Sequence, residues 1–304
     1  MPNAKELKEH IESIRDTQKI TNAMYLIASN KLRRAKTDLD RTRPYFTALR
    51  EEIKRIFRIS SDAENQYFYP VDETQLITGT YGYLIITSEK GLAGGYNQNV
   101  FKETERLLEA HPEKAGARLF VLGECGKQYY RSRNISIEED FPYSSQSPTL
   151  HTARHICERL LEKYRSGELA KIYVVYTDMQ KGFGNVRSAR LLPFHRAQFS
   201  SEDDLSGSHF EFLPSVSDVL DHIVPSYLSG FVYSALVDSF CSELNARMLA
   251  MDAAGRSAKE LLNTLTVQYN HVRQGVITQE ITEISAGSRG QKKKAASAEG
   301  RVKR

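Results

Sequence analysis

Three glycines between a predicted strand and a predicted helix are the first place in this sequence where binding chemistry could lie. Gly91, Gly94 and Gly95 belong to the segment GLAGG, and phosphate groups often bind where such a turn opens a helix. The segment matches neither the GxGxxG nor the GxxxxGKS/T pattern, and no Lys-Ser or Lys-Thr pair follows it. We therefore predict a tight structural turn here, with no nucleotide or other cofactor.

His151 and His155 are the best-spaced candidate metal ligands, because residues four apart share one face of a helix. No glutamate follows His151 directly and no third ligand is evident, so we predict a solvated helix face and no metal site. The three cysteines, Cys125, Cys157 and Cys241, are far apart and suit a reducing compartment. No Ser/His/Asp or Cys/His arrangement can be read, and we predict no catalytic residue.

The net charge of +4 conceals an uneven distribution of charge along the chain. The last 16 residues contain seven Lys or Arg and one Glu, so that the preceding 288 residues carry a net charge of −2. A body without basic excess argues against nucleic-acid binding. No apolar run approaches the roughly 20 residues of a membrane-spanning helix, so we expect association with a membrane only through partners.

The central part of the chain alternates short apolar runs with amphipathic segments. The predicted strands are 83–87, 118–122, 171–177 and 185–194, and the predicted helices are 97–111, 124–133 and 147–166. This alternation predicts a Rossmann-like, mainly parallel sheet with helices on both faces. The polar stretches 60–79 and 200–208 are predicted to be a linker and a loop.

Both ends of the chain carry the 4-3 spacing of apolar or small residues that is typical of coiled coils. The N-terminal seam comprises Leu7, Ile11, Ile14, Gln18, Thr21, Tyr25, Ala28, Leu32, Ala35 and Leu39. The C-terminal seam comprises Leu244, Met248, Met251, Gly255, Ala258, Leu262, Leu265, Tyr269, Val272 and Val276. We predict that the two seams pair in antiparallel register, with Leu32 or Ile27 reaching the second seam. Pro44 and Pro225 are expected to kink or interrupt these helices.

The segment from Ile20 to Ala28 is apolar in every direction around its predicted helix. One partner helix covers only one stripe, so we expect a further partner to enclose this segment. Near the other end of the chain, polar side chains enter the second helix; they are Arg273, Gln274, Thr278, Gln279 and Glu280. They form either a solvated helix end or polar contacts to such a partner.

Together these patterns predict an α/β protein in which a long antiparallel coiled coil accompanies a Rossmann-like domain. The expected segments are an N-terminal coiled-coil helix 1–59, a linker 60–79, the α/β domain 80–208, a C-terminal coiled-coil helix 209–288 and a basic tail 289–304. The tail has no aromatic residue and only Val302 as a sizeable aliphatic one. We therefore expect the helix to end near Ser285–Ser288 and the tail to be disordered.

Four segments resemble the gamma subunit of F-type ATP synthases, in the same order along the chain. They are KITNAMYLIASNKLRRA (19–35), SEKGLAGGYN (88–97), SELNARMLAMDAA (242–254) and YNHVRQGVITQEITEISAG (269–287). The departures are modest: that family commonly has a basic residue where Asn22 stands and a cysteine where Ala93 stands. It also often ends soon after the position of Gly287, whereas this chain continues.

The resemblance implies a central-stalk rotor that couples proton flow through a membrane ring to ATP synthesis or hydrolysis. The terminal helices would form an asymmetric shaft inside a hexamer of alpha and beta subunits. The body would hold the epsilon subunit and rest on the membrane c-ring. Chemistry would belong to the beta subunits, so the chain would be a non-catalytic, peripheral subunit on the cytoplasmic side of a bacterial cell membrane.

The same resemblance implies which residues contact the hexamer. The expected rotor contacts are Ile20, Met24, Ile27, Arg273, Gln274, Thr278 and Glu280. Two other classes of protein remain open from the residues alone. A coiled-coil scaffold or adaptor with an α/β body would form a homodimer, and a doubly wound nucleotide-binding enzyme would need a phosphate loop or a catalytic cluster.

Overall fold

The computed structural model describes residues 3–59, 65–69, 79–110, 116–179, 185–195 and 212–302, except the side chains of 58, 59 and 290–302. The chain divides into two units, one comprising Met1–Tyr25 and Met251–Arg304 and the other comprising Leu26–Ala250. Two long helices, α1 (Ala4–Ile59) and α5 (Val216–Val302), contribute to both units. Within the described residues, no helix has the length and apolar character needed to cross a bilayer.

In the first unit, about one residue in three along the paired stretches 4–25 and 251–272 is buried or half-buried. Thr21, Met251 and Ala258 are buried, and most of the residues between them are exposed. A Cβ atom at Gly255 would lie 3.8 Å from Thr21 Oγ1, so the two helices lie close together at this level. Both predicted seams are therefore confirmed here, except that Val276 is exposed.

In the second unit, the same two helices are packed into a hydrophobic core. Gly230 of α5 lies against the ring of Phe46 of α1, where an added Cβ would come within 1.9 Å of the ring. Along α1, Phe46 follows Thr21 by the same number of residues by which Gly230 precedes Gly255 along α5. Each unit therefore contains an antiparallel pairing with the same offset, which confirms the predicted coiled coil.

The sheet of the second unit has four strands in the order β2-β1-β3-β4. The strands are β1 (Tyr81–Ile86), β2 (Ala117–Leu122), β3 (Lys171–Asp178) and β4 (Asn185–Leu192). β1 pairs in parallel with both β2 and β3, with Tyr83 opposite Leu119 and Tyr173, whereas β4 pairs antiparallel to β3. The predicted mainly parallel sheet is confirmed, with one antiparallel strand at its edge.

Apolar side chains cover both faces of this sheet because successive strand residues point to opposite sides. One face carries Tyr83 and Ile85, which pack in a cluster with Val100 of α2 (Tyr96–Ala110) and Tyr130 of α3 (Glu124–Ser132). The other face carries Leu84 and Ile86, which belong to the core shared by α1, α4 (Leu150–Arg165) and α5. The predicted helices therefore lie on both faces, as a doubly wound arrangement requires.

The predicted linker 60–79 contributes to the core instead of serving only as a connection. Its described part, residues 65–69, contains buried Tyr67, Phe68 and Tyr69. Phe68 forms a β-bridge with Phe194, and Phe194 N donates a hydrogen bond to Tyr67 O at 2.8 Å. Three aromatic side chains in a short segment bury enough surface to hold it against the body. Residues 60–64 and 70–78, and the predicted polar loop 200–208, lie outside the described residues.

Neither Pro44 nor Pro225 interrupts its helix, so the expected interruptions are wrong. Both lie inside continuous helices, Pro44 in α1 and Pro225 in α5. A proline in a helix costs about 3 kcal/mol because it removes one hydrogen bond and crowds a carbonyl group. Buried side chains close to each proline, such as Phe46 and Leu228, offset that cost by anchoring the helix in the core.

Helix α5 also continues beyond the end that the sequence predicts. It reaches Val302, so the expected end near Ser285–Ser288 is wrong, and the chain is helical up to Val302 where disorder was expected. From position 291 to Val302 the sequence contains three lysines, three alanines and no proline, and lysine and alanine are good helix formers. Consecutive residues on a helix do not face one another, so three lysines in a row oppose a helix less than like charges spaced four apart would.

Candidate functional site

The N-terminal helix carries large apolar side chains that the chain itself leaves exposed. In the first unit, Ile20 is 59% exposed, while Met24 is half-buried. In the second unit, Ile27 is 56% exposed and Leu26 is similarly exposed. Single exposed apolar residues are common, but two adjacent ones, Leu26 and Ile27, leave an apolar surface on this helix.

The C-terminal part of α5 has no partner helix within the described residues. α1 begins at Ala4, and the antiparallel register that sets Thr21 beside Gly255 places Ala4 at the level of Val272. From Arg273 to Arg289 every residue of α5 is exposed. A helix without a packing partner gains little stability in water, so packing within the described part of the chain contributes little to the stability of this length of α5.

Exposed isoleucines give this unpaired segment an apolar face. Ile277, Ile281 and Ile284 follow a 4-3 spacing, which places them on one side of the helix, and Ile284 is 72% exposed. These isoleucines lie outside the predicted seam because they are offset by one residue from its last member, Val276. A second 4-3 repeat out of phase with the first is the signal that would have found them.

The predicted polar contact residues lie on the same turns as these isoleucines. Arg273, Gln274, Thr278 and Glu280 are all exposed. Thr278 Oγ1 donates a hydrogen bond to the Gln274 carbonyl at 2.9 Å, whereas the Arg273 guanidinium has no partner within the described part of the chain. Five free guanidinium donors beside an apolar face suit a carboxylate on a partner protein.

The structure thus places the seven predicted contact residues in three groups. Ile20 and Met24 lie one turn apart on α1 in the first unit, and Ile27 lies on α1 in the second unit. The four polar residues of α5 lie within about two turns of one another in the first unit. Their roles as contacts to a partner stay a prediction. Because these side chains are at least partly exposed, a partner protein can reach them.

The glycine turn lies between β1 and α2, as predicted for a strand-to-helix turn. Gly94 has a φ of +54°, a conformation that glycine adopts without strain. The Asn97 side chain accepts from Ser88 N at 3.0 Å and donates to Ser88 Oγ at 2.7 Å. From α5, Arg247 Nη2 donates to the carbonyls of Lys90 at 2.9 Å and Gly91 at 3.1 Å. Side chains of this chain therefore fix the shape of the turn.

A carboxylate of the chain itself occupies the neighbouring position where a doubly wound sheet offers an anion site. Glu89 Oε2 accepts a hydrogen bond from Glu124 N at the start of α3, at 3.2 Å. Glu89 Oε1 accepts from Ser144 Oγ at 2.6 Å and from Ser145 N at 2.9 Å. Because a negative side chain already satisfies the backbone donors of this edge, the turn has a structural use.

Arg247, which holds the glycine turn, also forms an ion pair with buried Glu243 one turn earlier on α5. Burial raises the pKa of the Glu243 carboxyl above its ordinary value, although Arg247 lowers it in part. The pair links α5 to the turn through the two carbonyl groups. Among the residues that the structure describes, no group of three or more His, Cys, Asp or Glu is arranged to hold a metal ion.

Comparison with known proteins extends over nearly the whole chain. The sequence profile of the ATP synthase family matches residues 3–290. The ATP synthase gamma chain of Ruminiclostridium cellulolyticum is 37% identical over 94% of this chain and 98% of its own length. That of Caldanaerobacter subterraneus is 38% identical over 93% and 98%. A gamma chain described as sodium ion specific, from Acetobacterium woodii, is 33% identical over 94% and 98%.

Solved structures agree with the fold. The rotor of the Euglena gracilis mitochondrial ATP synthase matches with a TM-score of 0.60 at 14% identity, covering 90% of this chain and 98% of the matched chain. A chain of the central stalk and c-ring of the Tetrahymena thermophila enzyme matches with a TM-score of 0.55 at 23% identity, covering 77% and 99%. On the sequence matches, which span more than nine-tenths of the chain at 37% and 38% identity, the protein belongs to the ATP synthase gamma chain family.

Proposed function

We propose that this chain is the central-stalk subunit of an ATP synthase, which turns as a rotor and couples ion flow through a membrane ring to ATP synthesis or hydrolysis. The observation that carries the proposal is the unpaired length of α5, whose residues from Arg273 to Arg289 are exposed in a chain of the gamma family. A helix of this length with an apolar face needs an enclosing partner.

The enclosing partner is a hexamer of alpha and beta subunits. Ile20, Met24 and Ile27 supply apolar contacts to it from α1, and Arg273, Gln274, Thr278 and Glu280 supply polar contacts from α5. Their exposure supports this assignment, because each side chain is accessible at least in part. Arg273 fits a partner carboxylate, since its guanidinium can donate two parallel hydrogen bonds.

The α/β body serves the other end of the rotor. We assign it the epsilon subunit and the membrane c-ring as partners, so that the chain reaches the membrane only through them. The chain is accordingly a peripheral protein on the cytoplasmic side of a bacterial cell membrane, and it binds no nucleic acid. The coupling ion, proton or sodium, is selected in the ring, and relatives of this chain include one named for sodium.

The mechanism is mechanical, and the chain has no active site of its own. The two terminal helices differ in length and in side chains, so the shaft presents a different surface to each catalytic subunit. A subunit that meets a given face is biased towards the conformation which that face contacts best. Turning the shaft moves this bias from subunit to subunit, so that rotation and nucleotide affinity are coupled through differential contact free energies.

The test of this proposal is the identity of the bound partners. A tagged chain purified from membranes in mild detergent should yield, by native mass spectrometry, one copy together with a hexameric nucleotidase. A photo-crosslinking residue at Ile281 should react with an alpha or beta subunit, whereas the same residue at exposed Lys102 of α2 should not. A stable homodimer without nucleotidase would instead support a scaffold and overturn the proposal.

A further inference from the structure

Two histidines on the outer face of α4 point their ring nitrogens at each other. His151 Nε2 and His155 Nε2 are 3.1 Å apart, and the rings are inclined by 80° with their centroids 4.3 Å apart. Both side chains are exposed. The sequence predicts only a solvated helix face here, whereas the structure shows a specific contact between the two ring nitrogens.

The helix that carries the pair is fixed at this end. Thr149 caps it by accepting a hydrogen bond from Thr152 N at 3.1 Å. The opposite face of the same turns packs into the core through buried Ala153 and Ile156. The two histidine backbones are therefore held in place before any ligand arrives, and only the ring torsions are free to adjust.

A carboxylate sets which nitrogen of His155 is available. His155 Nδ1 lies 3.1 Å from Glu158 Oε2, so it donates its proton there and leaves Nε2 as the atom with the lone pair. This carboxylate–histidine pairing is the arrangement that orients histidine ligands and strengthens their basicity in metal sites. Because His155 Nε2 carries the lone pair, it accepts the hydrogen bond between the two rings, and His151 Nε2 donates it.

The nitrogen separation is close to what one metal ion requires. Zinc binds histidine nitrogen at about 2.0–2.1 Å, and two such bonds at a tetrahedral angle place the nitrogens about 3.3–3.4 Å apart. The observed 3.1 Å differs by a few tenths of an ångström, which small rotations of the exposed rings can supply. When an ion enters, the proton of His151 moves from Nε2 to Nδ1, so that the neutral pair binds the metal without net loss of a proton.

We propose that His151 and His155 form a surface site for a divalent transition-metal ion of the zinc, nickel and copper class, with Glu158 as the positioning residue of His155. The two protein ligands leave the remaining coordination positions to water or to a donor group from outside the chain. Of the two nearby arginines, Arg159 is ion-paired with Asp140 and with Glu162, whereas exposed Arg154 has no ion pair within the described part of the chain. Imidazole nitrogen is the ligand that these ions share, which excludes calcium and magnesium. The site does not depend on the rotor function.

The experiment is a Ni²⁺ titration of the full, tag-free chain by calorimetry with a competing chelator. Cys125 is a free and partly exposed thiol, so the parent protein carries Cys125→Ser, whereas Cys157 and Cys241 are buried. We expect one site with a dissociation constant in the micromolar range. His151→Ala or His155→Ala should weaken binding at least tenfold, and the double variant, which keeps neither ligand, should be weaker still.

Two matched variants sharpen this test. His271→Ala removes a single exposed histidine from α5 and should leave nickel affinity unchanged within about twofold. Glu158→Gln should weaken nickel binding about tenfold, which is the usual effect of removing a carboxylate partner of a histidine ligand. Circular dichroism checks that each variant is folded. Nickel binding that survives His151→Ala at the parent's affinity, or no saturable binding below millimolar nickel in the parent, would overturn the proposal.

Discussion

The same two helices are buried very differently in the two units of the molecule. In the second unit, α5 is buried almost all round, with consecutive buried residues from Ser239 to Leu244. In the first unit, the described side chains of α5 include only two that are fully buried, Met251 and Ala258. The helices are therefore core elements in the second unit, whereas most of their surface is exposed in the first unit. Substitutions should change stability in the second unit and assembly or coupling in the first.

A pair of glycine substitutions gives the largest expected contrast. Gly230→Ala should destabilise the protein by about 3 kcal/mol, because the new Cβ would lie 1.9 Å from the Phe46 ring and overpack the core. Gly275→Ala should be neutral or stabilise α5 by up to about 1 kcal/mol, because it meets nothing within 4 Å and alanine favours helix. Urea unfolding of the full chain measures the free energy of unfolding of both variants. Equal unfolding midpoints for the two variants would contradict this prediction.

A half-buried acid in the second unit makes stability depend on pH. Burial and the neighbouring Asp178 raise the pKa of Asp238 to about 6, while Arg43 opposes the shift. Because the folded state then holds this proton more tightly than the unfolded state, stability falls as pH rises from about 4 to about 6. Asp238→Asn should therefore add about 1–2 kcal/mol at pH 7.5 and almost nothing at pH 4. Unfolding curves at the two pH values test this, and the prediction is wrong if the gain is the same at both.

Polar contacts of the first unit should affect coupling without affecting stability. Replacing Arg273 and Gln274 together by alanine should reduce ATP-driven ion pumping at least fivefold, since a guanidinium paired with a partner carboxylate is worth more than about 1 kcal/mol. Lys102→Ala on exposed α2 is the matched control and should change pumping by less than twofold. Pumping in inverted membrane vesicles with reconstituted enzyme measures both, and equal losses would argue against the contact.

The smallest effect is expected from the basic end of the chain. Deleting everything after Gly287 removes seven Lys or Arg and leaves the isoleucine face in place. Assembly and ATP-driven pumping should stay within about twofold at moderate salt, because exposed charge contacts are each worth under about 1 kcal/mol. A truncated chain that fails to assemble would show that the last helical turns are an essential part of the shaft.

The sequence predicts one part of the candidate site and not another, because the apolar residues of the two parts form patterns of different strength. The apolar crowding at Ile20–Ala28 is visible because a helix that is apolar all round has no ordinary explanation in water. Ile277, Ile281 and Ile284 give a weaker signal, because their 4-3 repeat has only three members and is offset by one residue from the seam. Only the position of Ala4 in the pairing shows that α1 has already ended at their level.

The sequence by itself determined the features that depend on local patterns. These are the two seams, the strand-to-helix alternation and the shape of the glycine turn. Those features follow from side-chain periodicity and backbone preference, which act within a few residues. The tertiary structure decided the rest. Helices α1 and α5 are continuous at Pro44 and Pro225 because core packing outweighs the cost of a proline. Tyr67–Tyr69 are buried in the core for the same reason, that tertiary contacts stabilise them. The tertiary structure also brought His151 Nε2 to 3.1 Å from His155 Nε2, because fixed ring positions depend on a core that no local pattern describes.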